Sequence, residues 1–258
     1  MLIRLNKAIA ELGICSRRKA DELISAGKIQ INGEVITILG TKVDLSKDKV
    51  EVVEQRQGHM QERDNTRLPL IAKRNNSKVY ILLNKPVDYI CSASNEQGAS
   101  VLDLITPENN IDKRREEASD LPRVYPVGRL DKNSEGMVLL TNDGDFTNEM
   151  THPRYEHEKE YEVSIDTPLT KEAQKLLQKG MHFGDIYMNG IQIVKMFNKG
   201  RETLVTVILR EGKNRQIRKM FSRLGYPILK LRRTRIEKIE LKTLPIGKWK
   251  FISKKDII

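Results

Sequence analysis

Residues 126–145 read PVGRLDKNSEGMVLLTNDGD, a polar loop bounded by glycines that leads directly into a run of apolar residues. The run from Gly136 to Leu140 shows no alternation of polar and apolar positions, which is typical of a strand buried on both faces. Loops held by rigid strands favour active sites. Asp131, in the middle of this loop, is therefore the first candidate for a functional carboxylate.

Two other interpretations apply to the same loop. Asp131, Asn133 and Glu135 fall near the first, third and fifth positions of a calcium-binding loop. Asn142 stands where that loop needs a bidentate carboxylate, and the downstream flank of the loop resembles a strand rather than a helix, so calcium binding is disfavoured. An aspartate in a solvated turn is the other interpretation, and the spacing alone leaves it open.

Strand-like segments lie on both sides of the loop, at 79–83, 160–165 and 203–209. Few long helices separate them; helical patterns cover about 170–179 and about 214–224, each followed by glycine. Strands that are not regularly interrupted by helices predict antiparallel pairing. We therefore expect an α+β fold whose main domain, at 78–258, has a mixed, mainly antiparallel sheet.

The first 53 residues predict a separate small αα-β module. Apolar residues at helical spacing end at Gly13, and Ser16 is placed to cap a second helix that reaches Gly27. Residues 29–36 read as a hairpin with an Asn32-Gly33 turn.

Residues 54–77, which are rich in Gln, Arg, Asn and Lys, fit a polar linker between the module and the main domain.

The composition restricts the partners and the compartment. A formal net charge of +11 and a pI near 9.5 indicate a polyanionic partner. No segment approaches the roughly 20 apolar residues of a membrane span, and charges interrupt the first residues as they would not in a secretory signal. We expect a cytoplasmic protein with reduced thiols at Cys15 and Cys91 and no structural metal.

A second candidate region lies at 213–235, where every charged residue is Lys or Arg. Ile217, Met220, Phe221 and Leu224 form an apolar stripe, so a helix here would pack on a core and turn its basic residues outward. A solvated helix face would explain this pattern. Contact with nucleic-acid phosphates explains it better, because such contacts use Lys and Arg.

Several motifs together resemble a known family. Arg4-Leu5-Asn6-Lys7, the segment 13–21 and Ile31-Asn32-Gly33 resemble an S4 RNA-binding domain. Asn84-Lys85-Pro86, the segments 128–145 and 158–161, and EGKNRQIRKM at 211–220 resemble, in order, the motifs of the RsuA/RluB/RluE/RluF pseudouridine synthases. The segments 157–161 and 233–236 are most similar to the RluF branch, whose members modify large-subunit (23S) ribosomal RNA and can act on a tRNA anticodon.

The resemblance implies a catalytic set and a reaction without a cofactor. It makes Asp131 the essential carboxylate, places Arg218 beside it in a bidentate ion pair, and makes Tyr161 the residue that stacks on the target base or removes its C5 proton. The target uridine must leave the RNA stack to react. The expected RNA-binding residues are Arg129, Lys213 and Arg215 in the main domain and Arg4, Arg17, Arg18 and Lys28 in the S4-like module.

Two functions of other classes remain as alternatives. The S4-like module and the net charge would also suit a non-catalytic RNA-binding or ribosome-assembly protein. The helix pair could instead be the helix-turn-helix of a DNA-binding regulator, although the hairpin directly after the second helix argues against it. The favoured prediction is a monomeric RNA pseudouridine synthase that acts on structured RNA.

Overall fold

The computed structural model describes residues 1–53, 77–93, 97–112 and 121–258. They form two compact units, Met1–Lys78 and Val79–Ile258. The linker predicted at 54–77 lies outside the described residues except for Ser77. No helix among the described residues is long and apolar enough to cross a membrane.

The N-terminal unit contains the predicted helix pair, α1 (Leu5–Glu11) and α2 (Arg17–Ser25). Ser16 caps α2, because its Oγ accepts a hydrogen bond of 3.2 Å from the backbone N–H of Lys19. The strands of this unit are β1 (Ile3–Arg4), β2 (Ile29–Ile31), β3 (Glu34–Ile36), β4 (Lys42–Val43) and β5 (Val50–Val52).

The hairpin of β2 and β3 turns at Asn32 and Gly33, as the sequence predicts. Both residues have positive φ, 52° and 91°, which two-residue hairpin turns require and which Asn and Gly tolerate. The core beneath the hairpin is formed by fully buried side chains that include Leu5, Ile9 and Ile29.

The C-terminal unit is built on a nine-stranded sheet with the strand order β12-β13-β9-β14-β8-β6-β16, to which β7 and β15 pair at the side. Its strands are β6 (Tyr80–Lys85), β7 (Tyr125–Pro126), β8 (Glu135–Thr141), β9 (Lys159–Ile165), β12 (Gln192–Lys199), β13 (Glu202–Leu209), β14 (Ile228–Ile236), β15 (Ile239–Glu240) and β16 (Trp249–Ile252). A separate hairpin consists of β10 (Gly180–Phe183) and β11 (Ile186–Asn189).

Both faces of the sheet are covered. Every residue of β8 is buried; Met137 and Leu139 enter one hydrophobic core, and Val138 and Leu140 enter the other. Helices α4 (Lys171–Lys179) and α5 (Gln216–Arg223) pack against the core that contains Val138, whereas α3 (Gly144–Thr151) packs against the opposite one. The unbroken apolar run in the sequence corresponds to this central, doubly covered strand.

Almost all strand pairs of the sheet are antiparallel, and β8 and β14 run parallel. In that parallel pair Gly136 lies opposite Arg233, with φ of +106° at the glycine. A Cβ at Gly136 would lie 2.3 Å from the carbonyl oxygen of Arg233, so only glycine fits there. The predicted α+β fold with a mixed, mainly antiparallel sheet is confirmed.

Candidate active site

The Asp131 loop, residues 127–134, connects β7 to β8. Its own backbone bond from the Ser134 N–H to the Asp131 carbonyl, 3.0 Å long, closes a turn. This turn leaves about a third of the Asp131 side chain exposed, at 33%. The loop therefore holds a carboxylate at the surface directly above a rigid, buried strand.

Arg215 is the cation that contacts this carboxylate. Its Nη1 lies 3.3 Å from Asp131 Oδ2 and 3.3 Å from Asn133 Oδ1. Arg215 precedes α5 in the left-handed conformation, with φ of 51°. Because it stands at the helix end, its side chain reaches out to the tip of the loop.

The bidentate Arg218–Asp131 pair that the resemblance implies is not what the structure contains. Arg218 Nη2 instead donates to the carbonyl oxygen of Asn133 at 2.7 Å and to Ser134 Oγ at 3.0 Å. Arg218 lies inside α5, one turn after Arg215, so it meets the base of the loop rather than the tip. Arg218 thus fixes the backbone that carries Asp131, and Arg215 pairs with the carboxylate itself.

Lys85 is a second cation that holds the same loop. Its side chain is fully buried, and its Nζ donates to the carbonyl oxygens of Ser134 at 2.7 Å, Pro86 at 2.8 Å and Lys132 at 3.3 Å. Burial lowers the pKa of Lys85. Two of these three acceptors, at Lys132 and Ser134, belong to the loop, so the ammonium group ties the loop to the end of β6.

Tyr161 and Arg233 lie side by side below the loop. They face each other in the register of β9 and β14, so both side chains project from the same face of the sheet. Tyr161 is 8% exposed and Arg233 is 3% exposed. Arg233 Nε donates to the carbonyl oxygen of Met137 at 2.8 Å, while its Nη2 has no hydrogen-bond partner among the described residues.

A pocket of about 440 Å³ joins these groups. Six predicted site residues line it: Arg129, Asp131, Tyr161, Lys213, Arg215 and Arg218. Its volume is within the range of roughly 300–1,000 Å³ that small-molecule sites occupy. The structure therefore brings together the predicted residues of the C-terminal unit, which lie far apart in the sequence.

The pocket has a cationic wall. Burial lowers the pKa of Arg218, and neighbouring Arg215 lowers it further, while Asp131 opposes the shift. Burial also lowers the pKa of Lys159, whose Nζ donates to the carbonyl oxygen of His157 at 2.9 Å. The Lys and Arg side chains that line the pocket outnumber its carboxylates at Asp131, Glu156 and Glu211, and this excess of positive charge favours an anionic ligand such as a nucleotide.

Lys213 is less available than its sequence position indicates. Its Nζ lies 3.0 Å from Glu211 Oε2 and also donates to the carbonyl oxygen of Tyr187. An internal partner for this ammonium group weakens its attraction for phosphate.

The remaining predicted RNA-binding residues lie in the N-terminal unit. All four of them, Arg4, Arg17, Arg18 and Lys28, are exposed there. Arg17 and Arg18 occupy the first turn of α2.

Sequence reasoning missed the roles of Lys85 and Arg233. Lys85 belongs to the Asn84-Lys85-Pro86 motif, but nothing in the sequence shows that its charge is buried against the loop. Arg233 belongs to a basic run that predicts an exposed surface, and only the pairing of β14 with β9 and β8 explains its burial. Across the described ranges, no three His, Cys, Asp or Glu side chains come together as a metal site.

Comparison with known proteins agrees with the predicted family. A family model described as "RNA pseudouridylate synthase" matches residues 79–223, and one described as "S4 domain" matches residues 3–50. A solved structure described as "Crystal structure of pseudouridylate synthase" has a TM-score of 0.60 at 22% identity, and the match covers 98% of this chain and 97% of that one. At this identity the structural likeness supports the fold.

Two curated relatives are similar over nearly the whole chain. "Ribosomal large subunit pseudouridine synthase B" of Bacillus subtilis (strain 168) is 35% identical over 95% of this chain and 89% of the relative. "Dual-specificity RNA pseudouridine synthase RluF" of Escherichia coli (strain K12) is 33% identical over 99% of this chain and 77% of the relative. These matches favour the enzyme over a non-catalytic RNA-binding protein, and the chain belongs to the RNA pseudouridylate synthase family, with an S4 domain at residues 3–50.

Proposed function

We propose that this enzyme converts a uridine of large-subunit (23S) ribosomal RNA into pseudouridine, with Asp131 as its essential carboxylate. The observation that carries the proposal is the position of Asp131: it lines the pocket, keeps about a third of its side chain exposed (33%) and is paired with Arg215 at 3.3 Å. The names of both relatives describe pseudouridine synthases, and one specifies the large ribosomal subunit. The membership of the RluF branch, and with it a tRNA substrate, stays a prediction.

The reaction breaks the N-glycosidic bond of uridine, rotates the base and joins its C5 to the sugar. The C5 proton is lost and the base nitrogen gains one, so no redox partner is needed and we expect no cofactor. The exposed Asp131 carboxylate would act on the sugar side, either by attack or by removing a ribose proton. Arg215 would keep that carboxylate directed at the pocket.

Tyr161 is placed for the base rather than for the sugar. Its ring borders the pocket from a strand position that is almost fully buried, which suits stacking against a flipped uracil. Its hydroxyl is also the proposed group for removal of the C5 proton. Arg129, in the same loop as Asp131, is proposed to contact the RNA around the extruded nucleotide.

The S4 domain provides a second proposed RNA contact. Its basic residues Arg4, Arg17, Arg18 and Lys28 would raise the affinity for structured RNA without changing the chemistry. A ribosomal RNA substrate also agrees with the cytoplasmic location expected from the sequence. The monomeric state remains a prediction.

Position-resolved mapping of pseudouridine tests the proposal. Total RNA is compared between cells that lack the protein and the same cells complemented with wild type, with Asp131→Asn or with Asp185→Asn. Asp185 is an exposed aspartate in the turn between β10 and β11, outside the pocket, and serves as the matched control. We expect wild type and Asp185→Asn to restore one large-subunit position.

Asp131→Asn should restore nothing at that position while the purified variant still binds ribosomal RNA. Turnover by Asp131→Asn would contradict its catalytic role. Loss and rescue at a tRNA position alone would contradict the ribosomal substrate.

A further inference from the structure

A short segment beside the pocket has features that the proposed chemistry does not use. Residues 152–157, here called the rim segment, connect α3 to β9, the strand that carries Tyr161. His152, Pro153, Glu156 and His157 line the Asp131 pocket. The rim segment therefore borders the place where the target nucleotide would enter.

Local bonds fix the conformation of the rim segment. Residues Pro153–Tyr155 form a single 3-10 turn, which is capped because His152 Nδ1 accepts a bond of 3.2 Å from the Arg154 N–H. Glu156 then adopts the left-handed conformation, with φ of 50°, and turns the chain towards β9. This turn presents Arg154 and Tyr155 together at the surface.

His157 anchors the rim segment to the rest of the unit. Its Nδ1 lies 3.1 Å from Glu237 Oε1, and its Nε2 lies 3.0 Å from the carbonyl oxygen of Glu149. Because each ring nitrogen faces an oxygen atom, rotation of the imidazole would break these contacts. It is therefore a rigid support for whatever stacks on it.

Tyr155 stacks on that support. The rings of Tyr155 and His157 are 5.9 Å apart between centroids and lie 28° from parallel. The Arg154 guanidinium lies over the Tyr155 ring at 4.5 Å from its centroid, and its Nη2 donates to Tyr155 Oη at 2.5 Å. Tyr155 nevertheless remains 41% exposed, which is unusual for a ring held so firmly.

The charge of Arg154 is not neutralised within the described part of the chain, where no carboxylate pairs with it. A planar cation beside an exposed aromatic ring can stack on a nucleobase and attract its phosphate at the same time. Few other ligands use both properties.

We propose that Arg154 and Tyr155 bind the base adjacent to the target uridine by stacking. Extrusion of a uridine removes the stacking partner of its neighbour. Tyr155 does not itself line the pocket but stacks on His157, which does, so its ring and the guanidinium over it can replace that partner. The rim segment is thus a subsite that stabilises the flipped state and selects for a nucleotide that can leave its own stack. This assignment rests on the proposed function, because it needs RNA at the pocket.

Binding experiments test the subsite without any turnover. The probe is a hairpin of large-subunit ribosomal RNA chosen because wild type binds it, with 2-aminopurine placed in turn at each position next to a loop uridine. The parent protein is Asp131→Asn, so that no reaction occurs. It is compared with the same protein carrying in addition Tyr155→Ala, Tyr155→Phe or Arg154→Ala. Phe197→Ala is the matched control, since Phe197 is 51% exposed on β12 at the far end of the β12–β13 hairpin.

We expect Tyr155→Ala to weaken binding about tenfold, the effect of removing one base–aromatic stack, and to abolish the fluorescence quenching at one neighbour position. Arg154→Ala should weaken binding in the same direction. Tyr155→Phe keeps the ring and should bind within about twofold of the parent. Phe197→Ala should have no effect. When an abasic site replaces the neighbouring base, the difference between parent and Tyr155→Ala should disappear.

Equal affinity of Tyr155→Ala and the parent for the RNA would overturn the subsite. An equally large loss of affinity in Tyr155→Ala when the RNA is abasic at the neighbouring position would also overturn it. Thermal unfolding of each variant separates a local folding defect from the removal of RNA stacking. Failure of the subsite and failure of the proposed function remain distinguishable. If wild type makes no pseudouridine but the effect of Tyr155→Ala on binding still disappears with the abasic RNA, the subsite stands and the proposed function fails. If wild type makes pseudouridine but Tyr155→Ala has no such effect, the function stands and the subsite fails.

Discussion

Arg218 and Asn133 are joined by a hydrogen bond of 2.7 Å from Nη2 to the backbone carbonyl, within the loop that carries Asp131. A bond to main chain does not depend on the identity of the Asn133 side chain. Lys85 donates to the carbonyl oxygen of the next residue, Ser134, at 2.7 Å. Two cations therefore hold the backbone of the loop that carries the carboxylate.

Substitution of Arg218 should impair catalysis more than substitution of Arg215. Arg218→Ala frees the loop backbone, and a displacement of about 1 Å at a reacting group can lower kcat on the order of 10²-fold. Arg215→Ala removes a partly exposed ion pair of 3.3 Å and should lower kcat by about tenfold or less. Measurement of kcat and KM on the mapped RNA decides between them, and a larger decrease of kcat in Arg215→Ala would contradict the assigned roles.

Lys85 should be needed for folding as well as for activity. Lys85→Met keeps the length of the side chain but removes the donor from the buried carbonyl oxygen of Ser134 and from the partly buried one of Pro86, while the Lys132 oxygen keeps its bond from the Asp88 N–H. The free energy of unfolding should therefore fall by roughly 3 kcal/mol. Lys132→Met, an exposed change in the same loop, is the control and should leave stability nearly unchanged. Denaturant unfolding monitors both; similar midpoints would show that the Lys85 bonds contribute little.

The strands and the fold class could be predicted because burial alone determines their pattern. Met137 to Leu140 are apolar at every position, and Tyr161, Val163 and Ile165 alternate inward on β9, as the sequence indicates. The beginning of α5 was harder to predict. Arg215 adopts positive φ and stays outside the helix, which no residue preference of arginine reveals.

That local conformation decides which arginine reaches Asp131. A helix starting at residue 214 would include Arg215, whereas the observed helix begins at Gln216. The resemblance therefore names the correct segment for the site but pairs Asp131 with Arg218, whereas Arg215, expected only to bind RNA, is the arginine that contacts the carboxylate. Interactions made by long side chains across separate segments depend on backbone details that the sequence pattern does not contain.

Gly136 should tolerate no side chain. Gly136→Ala would place a Cβ 2.3 Å from the carbonyl oxygen of Arg233 at a φ of +106°, so overpacking and backbone strain together should cost about 3–5 kcal/mol of stability. Gly184→Ala is the matched control, since Gly184 has φ of +58° but no atom within 4 Å of the added Cβ. It should lose only about 1 kcal/mol. Equal unfolding midpoints for the two variants would contradict the close approach of β8 and β14.

Glu158 should stabilise the fold in a pH-dependent way. Hydrogen bonds from Arg210 at 2.7 Å and Arg235 at 3.2 Å lower the pKa of this carboxyl. A carboxyl with a lower pKa in the folded chain stabilises it above the unfolded value of about 4.3 and loses that contribution as the pH falls through the folded pKa. Glu158→Gln should thus reduce the free energy of unfolding by up to about 1 kcal/mol near neutral pH, and by progressively less in acid.

Denaturant unfolding at a series of pH values checks this expectation. Arg210→Gln provides the control background, in which the effect of Glu158→Gln should be smaller because one partner is already absent. If the difference in the free energy of unfolding between wild type and Glu158→Gln grew as the pH falls, this prediction would be contradicted.

The S4 domain should contribute to RNA affinity through charge. Arg17→Ala combined with Arg18→Ala removes two exposed cations from α2, so the slope of log affinity against log salt concentration should flatten by about 0.7–0.9 for each phosphate that they neutralise. The turnover rate at saturating RNA should not change. Lys19→Ala is the control, because Lys19 already pairs with Glu22 at 2.8 Å. An unchanged salt dependence of the affinity in the double variant would exclude these arginines from RNA binding.

The parallel pair of β8 and β14 also sets when the enzyme becomes active during its synthesis. The Asp131 loop leads into β8, yet the strand that brings Arg233 beside Tyr161 is made only after residue 228 has been added. A nascent chain that ends after α5 already contains Asp131, Tyr161 and Arg218 but has no strand to join its two halves of sheet. The pocket can therefore be finished only after β14 has been made, so that a polypeptide interrupted before this strand carries the reactive groups without the geometry that would let them act on RNA.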